Sequence, residues 1–197
     1  MSKKPIRILL LIIIFVGVVA LAGYFSWKRQ RATNQSLPPP TPTAAQAQLS
    51  WQSVNPGQTF NDLIKQKGEP KQSDLTRGTG TVNYAGTNQY WDTAVSVQND
   101  TIYFIREHVF KPQNTSLQSR LSLLDKPPTK LYGRVSSSGQ YLYVSTEEGV
   151  AFLANEQNDT VYEVWYFKPA PLATILTLPA LSGYSTDLNT VRGEGGH

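Results

Sequence analysis

The chain contains only two histidines, at positions 108 and 197. His197 ends a Gly-rich tail. His108 follows Glu107 in a strand-like run, where an edge histidine is a plainer reading than a general base. No group of His, Asp and Glu has metal-ligand spacing. The absence of cysteine excludes thiolate zinc sites, a cysteine nucleophile, disulfides and a lipid-modified N-terminal cysteine. Arg77-Gly78-Thr79-Gly80-Thr81 has glycines but neither the lysine nor the following helix of a phosphate loop, so it reads as a turn into a strand. Ser136-Ser137-Ser138-Gly139 is loop chemistry without a partner base, and Glu147-Glu148 before Gly149 reads as a solvated turn. The sequence names no catalytic residue, no metal ligand and no cofactor, and it points away from an enzyme.

What remains is binding chemistry. Trp91, Phe104, Tyr141 and Trp165 are the candidate contact residues, among 4 Trp, 10 Tyr and 7 Phe in 197 residues. Aromatics exposed on a sheet mark partner surfaces, whereas buried ones only fill a core. Phe104 aligns with Glu163 in the internal repeat described next, which gives the expectation that Phe104 points outward.

The phrase Gln98-Asn99-Asp100-Thr101-Ile102-Tyr103 returns as Gln157-Asn158-Asp159-Thr160-Val161-Tyr162, and Phe-Lys-Pro recurs at 110 and 167. Recurrence of linked landmarks suggests a duplicated unit. In the first copy Thr59 is a helix N-cap with Asp62 three residues on. Phe60, Leu63 and Ile64 form an apolar stripe, Gly68 suits the C′ position and Pro70 blocks continuation. In the second, Ser116 caps, Leu117, Leu121 and Leu124 form the stripe, and Pro127 stops it. β-branched and aromatic alternation then predicts strands over 81–84, 93–97 and 101–109, and over 140–145, 149–153 and 160–167. Asn-Asp before each last strand suits a hairpin that needs positive φ. The expected fold class is α+β: two tandem helix-plus-three-stranded antiparallel repeats forming one domain.

Val54-Asn55-Pro56-Gly57-Gln58-Thr59, Leu63-Ile64 and Gly68-Glu69-Pro70 resemble the opening of the SmpA/OmlA and β-lactamase-inhibitor-protein-like families. Those families place a short helix before antiparallel strands, and the inhibitor protein carries two such units. The resemblance implies a non-enzymatic scaffold that engages other envelope proteins. The lipobox cysteine and the inhibitor's disulfide cysteines have no counterparts here, and no functional residue carries over.

Ahead of the domain, residues 8–25 carry no charge and are rich in Ile, Leu, Val and Phe. A helix of that length rises about 27 Å, close to the ~30 Å hydrocarbon core. Tyr24 and Trp27 suit an interfacial belt, and Lys28, Arg29 and Arg31 suit headgroups. Ala20-Leu21-Ala22 fits a signal-peptide cleavage site, but the apolar run continues to Phe25, which favours a retained anchor. Six of the 18 basic residues flank this segment and no acid precedes Asp62, so the rest of the chain is net acidic and has no nucleic-acid footprint. The expected order is a cytoplasmic tail (1–7), a transmembrane signal-anchor (8–27), a Pro/Gln/Ala-rich spacer (28–48), repeat one (49–112), repeat two (113–181) and a disordered tail (182–197). The expected function is a single-pass, extracytoplasmic protein-binding module of the bacterial envelope. The alternatives are a cell-wall glycan or small-ligand binder, and an envelope hydrolase.

Overall fold

A computed structural model of the chain describes residues 49–86, 90–109 and 116–193. The expected tail, anchor and spacer at 1–48 lie outside them. No helix among the described residues is long and apolar enough to cross a membrane.

Helix α1 (Phe60–Lys67) begins where the sequence places it. The Thr59 hydroxyl accepts from the Asp62 amide at 3.1 Å and donates to Asp62 Oδ2 at 2.7 Å. That satisfies an amide the helix leaves without an internal partner. Gly68 ends the helix with φ 79°, and its carbonyl accepts from the Tyr84 hydroxyl at 3.1 Å. Four strands follow: β1 (Gln72–Thr76), β2 (Thr79–Tyr84), β3 (Thr93–Gln98) and β4 (Thr101–His108). The same order then runs again through α2 (Leu117–Leu121, capped by Ser116), β5 (Thr129–Leu131), β6 (Gln140–Ser145), β7 (Val150–Asn155) and β8 (Thr160–Phe167). All eight strands form one antiparallel sheet in the order β1-β2-β3-β4-β8-β7-β6-β5, so β4 and β8 form the central seam.

Each half has four strands rather than the expected three. The additions, β1 and β5, are the two edges of the sheet. Gln72-Ser73-Asp74-Leu75-Thr76 is exposed along most of its length and has little apolar alternation to betray it. Thr129-Lys130-Leu131 is three residues long and follows two prolines. The Arg77-Gly78 turn that joins β1 to β2 has φ 52° and 71°, a two-residue hairpin with both residues left-handed. Asn99-Asp100 joins β3 to β4 in the same way, with φ 49° and 58°. The second copy of the phrase makes a longer loop: Asn155 pairs with Thr160, and only Asp159 has positive φ.

The register of β4 on β3 slips at Tyr103, and that of β8 on β7 slips at Tyr162, so each strand carries a bulge. A bulge turns two successive side chains to one side. Tyr103 and Phe104 therefore share a face of the sheet, opposite Ile102 and Ile105. On the helix face Val82, Val95, Val97, Ile102, Ile105, Phe152, Val161 and Val164 pack with Trp51, Val54, Leu63 and Leu117. The Tyr166 hydroxyl donates to buried Glu107 at 3.0 Å beside this core.

The opposite face differs between the halves. In the second half it is apolar: Leu131, Leu142, Val144, Ala151, Trp165 and Phe167. Ile175 of α3 (Leu172–Ile175) and Leu181 of a 3₁₀ turn (Pro179–Leu181) pack over it, with Tyr184 at the margin. Residues 182–193, expected as a disordered tail, are tied back. Ser185 and Tyr132 exchange backbone hydrogen bonds at 2.7 and 2.9 Å, and α4 (Leu188–Gly193) follows. The apolar sheet face in residues 131–167 supplies the reason, because it must be covered.

Candidate ligand-binding face

On that same side, the first half of the sheet is polar. Alternation from the buried Val82 and Val95 puts Thr81 and Asn83 of β2, and Ala94 and Ser96 of β3, on the far face. The register extends this row outward to Gln72 and Asp74 of β1 and inward to Phe104 and Arg106 of β4. Gln72, Asp74 and Arg106 are exposed, and Thr81, Asn83, Ala94 and Ser96 are half-buried. No large apolar side chain stands between β1 and β3 here, so this face needs no covering layer. It offers hydroxyls, amides, a carboxylate and a guanidinium, which include both donors and acceptors.

At the seam a chain of contacts ties this face to the covered one. His108 is the cross-strand partner of Glu163, and its Nδ1 lies 3.2 Å from Glu163 Oε1. The Trp165 indole N–H donates to Glu163 Oε2 at 2.6 Å. Both carboxylate oxygens are thereby engaged. Trp165 then meets Phe104 edge-on at 5.7 Å and Tyr184 edge-on at 5.9 Å. Burial holds the His108 imidazole below its ordinary pKa. Glu163 opposes that shift and the Arg106 charge adds to it. A neutral His108 carries its proton on Nδ1 when it donates to Glu163.

Over His108 lies Trp91, ring centroids 5.1 Å apart and planes inclined by 31°. Trp91 is 58% exposed and the preceding Tyr90 66%, the largest exposures of any large apolar side chain among the described residues. Asp92 anchors the segment through a 2.7 Å ion pair with Lys71. Arg106, two residues before His108 on the same face, lies between its cross-strand partners Ala94 and Trp165.

The four sequence candidates fare differently. Trp91 is exposed. Trp165 is 4% exposed and supports Glu163 from below. Phe104 is 5% exposed, not outward, because the bulge at Tyr103 and the aromatic packing of Trp165 enclose it. Tyr141 is on the other side of the sheet, where its ring lies 3.6 Å from Lys130 Nζ and meets Tyr132 edge-on. That cluster is closed by Glu156, which accepts from Lys130 at 2.8 Å and from the Tyr143 hydroxyl. Three candidates thus gather at one seam and the fourth does not. Arg106 and His108 were within reach of sequence reasoning, since alternation along 104, 106 and 108 puts them on one face. Glu163 had no such signal, because only the β4–β8 register brings it to His108.

The other motifs serve structure. Ser136 sits in a 3₁₀ turn (Arg134–Ser138) and its hydroxyl accepts from the Gly133 amide at 2.8 Å. Glu147 pairs with Lys126 at 2.6 Å, and Glu148 accepts from the Asp125 amide at 3.0 Å. Among the described residues no three His, Cys, Asp or Glu side chains come together as a metal site. No protein-family model matches the chain, and neither a curated protein nor a solved structure matches it.

Proposed function

We propose that this chain is a non-enzymatic, membrane-tethered binding module of a bacterial envelope that holds a saccharide of the cell wall on the far face of β1–β4. Residues 8–27 serve as a single-pass anchor and 28–48 as the spacer, with the domain outside the cytoplasmic membrane. One observation carries the ligand class: a row of donors and acceptors (Gln72, Asp74, Thr81, Asn83, Ser96, Arg106) runs toward the exposed ring of Trp91. A sugar needs both. Its hydroxyls each donate and accept, and its apolar C–H face stacks on an aromatic ring. Protein interfaces have cores depleted in charge, so this polar row favours the saccharide.

The test is a titration of the full chain in detergent with N-acetylglucosamine oligomers and wall fragments, followed by tryptophan fluorescence. Quenching that vanishes in Trp91→Phe is the expected result. No response from any saccharide overturns the reading.

The exposure of the adjacent Tyr90 and Trp91 supports a second reading, an envelope protein as partner, since Tyr and Trp dominate interface anchors. A crosslinked stoichiometric protein on membranes, lost with Trp91→Ala, would establish it.

We further read the halves as copies of one unit. The caps at Thr59 and Ser116 support this, as do the backbone bridges Thr59–Thr101 and Ser116–Thr160 and the register shifts at 96/97 and 153/154. The longer loop at 156–159 moves the offset between copies from 57 to 59. Kinship with the SmpA/OmlA and β-lactamase-inhibitor-like superfamily rests on the Val54–Thr59 and Gly68–Pro70 motifs.

A further inference from the structure

We infer that Arg106 makes this face selective for an anionic saccharide, one whose ring stacks on Trp91 while its acidic group meets the guanidinium. The inference rests on the saccharide reading and adds the charge of the ligand to it. The other charged groups of this face have hydrogen-bonding partners of their own. Glu163 gives one oxygen to His108 and the other to Trp165. Asp92 is paired with Lys71. Asp74 accepts from Gln72 at 3.1 Å and lies on the outermost strand, three strands from β4. At about 4.8 Å per strand that is roughly 14 Å away, beyond the ~8 Å screening length at physiological salt. Arg106 is exposed and forms no ion pair among the described residues. Its guanidinium donors are the ones on this face that no described side chain engages.

The geometry fits one sugar residue. Arg106 and His108 are alternate positions of β4, roughly 7 Å apart along the strand, and Trp91 lies over His108. A pyranose on the indole therefore puts an exocyclic carboxylate or a ring phosphate within reach of the guanidinium. Ala94, the cross-strand neighbour of Arg106, has only a methyl group and leaves the approach open. Guanidinium binds both carboxylate and phosphate in bidentate fashion, so the shared chemistry is a planar or tetrahedral oxyanion on a polyol.

Dissociation constants of the full chain in detergent would be measured for three probes of matched length: N-acetylglucosamine oligomers, oligogalacturonate and a glycerol-phosphate oligomer. Trp91→Ala and Arg106→Gln accompany the natural chain, with circular dichroism to confirm folding. The expected result is about 10- to 100-fold tighter binding of at least one anionic probe than of the neutral one, as for hydrogen bonds to a charged group. In Arg106→Gln that preference disappears and the three probes bind alike, and Trp91→Ala weakens all three. Which anionic probe binds tighter identifies carboxylate or phosphate as the source. Equal binding of neutral and anionic probes, or a preference that survives Arg106→Gln, overturns the inference and leaves the saccharide reading standing. Failure of all three probes overturns both.

Discussion

The His108–Glu163–Trp165 chain makes a titration prediction with a definite sign. The folded protein holds His108 below its ordinary pKa, chiefly by burial. The unfolded chain therefore takes up a proton first as pH falls, and stability rises with pH wherever the unfolded state binds more protons. Above the unfolded value near 6.5 the term is constant. It decreases as pH drops from there through the lower folded pKa, then levels off. Denaturant midpoints between pH 7.5 and 5 should fall, and His108→Gln should remove the part of that slope owed to His108; an unchanged slope in the variant would sink the assignment. A second residue-scale prediction concerns Thr93. It is fully buried, and its hydroxyl has no hydrogen-bond partner among the described residues. Thr93→Val keeps the β-branched shape and removes the orphaned hydroxyl, so it should stabilise the fold by about 1 kcal/mol in chemical denaturation. At this scale the sequence was legible where alternation alone decides orientation, as for Val82, Val95 and Arg106. It misled at Phe104, because a bulge inserts a residue that no periodicity announces.

At the scale of elements, the caps and stops of α1 were legible because Thr59, Asp62, Gly68 and Pro70 act within a few residues of one another. Strands β6 and β8 were legible at their full lengths, since both combine apolar and aromatic runs with turn residues on each side. The edge strands were not. β1 draws its order from pairing with β2, and its own side chains face water. The Arg77-Gly78 turn therefore fixes β1 more than any of its side chains do. Gly78 has φ +71°, and a Cβ there would run into the Asp100 side chain of the neighbouring hairpin. The Asp100 amide also donates to the Gly78 carbonyl at 2.9 Å, so the two tight turns lie against each other. Gly78→Ala should cost about 1–2 kcal/mol, from the left-handed backbone and the forced shift of Asp100. Amide exchange should show the loss first in β1 and β2. A wild-type midpoint in this variant would mean that the edge hairpin contributes nothing to the measured stability.

At the scale of the whole described domain, two halves with one strand order meet opposite demands on the far side of a single sheet. The first half is polar there and needs no cover; the second is apolar and is covered by residues 172–184. The covering segment has weak local signals of its own: helix α3 is four residues long and the next turn three. Its order comes from what it packs on, which explains why residues 182–193 read as a tail from sequence alone. Ile175 and Leu181 are nearly fully buried against Leu131, Leu142, Val144, Trp165 and Phe167. Each such side chain contributes about 1.5–3 kcal/mol by leaving water, so their loss together is a large share of a marginal total. A chain ending at Pro169 should therefore expose the apolar half-face. Expected are dye binding by the exposed surface, a red shift of Trp165 emission and loss of a single cooperative transition. The paired substitution Ile175→Ala with Leu181→Ala should give a graded version, about 4–8 kcal/mol less stable if the two costs add. The far face of β1–β4 supplies the control, since it holds no comparable apolar cluster. Arg106→Gln and Asn83→Ala should move the midpoint by less than about 0.5–1 kcal/mol. If truncation at Pro169 left a cooperative, dye-silent domain, the covering role of residues 172–184 would be wrong. The contrast between a covered apolar half and an open polar half would then have lost its physical basis.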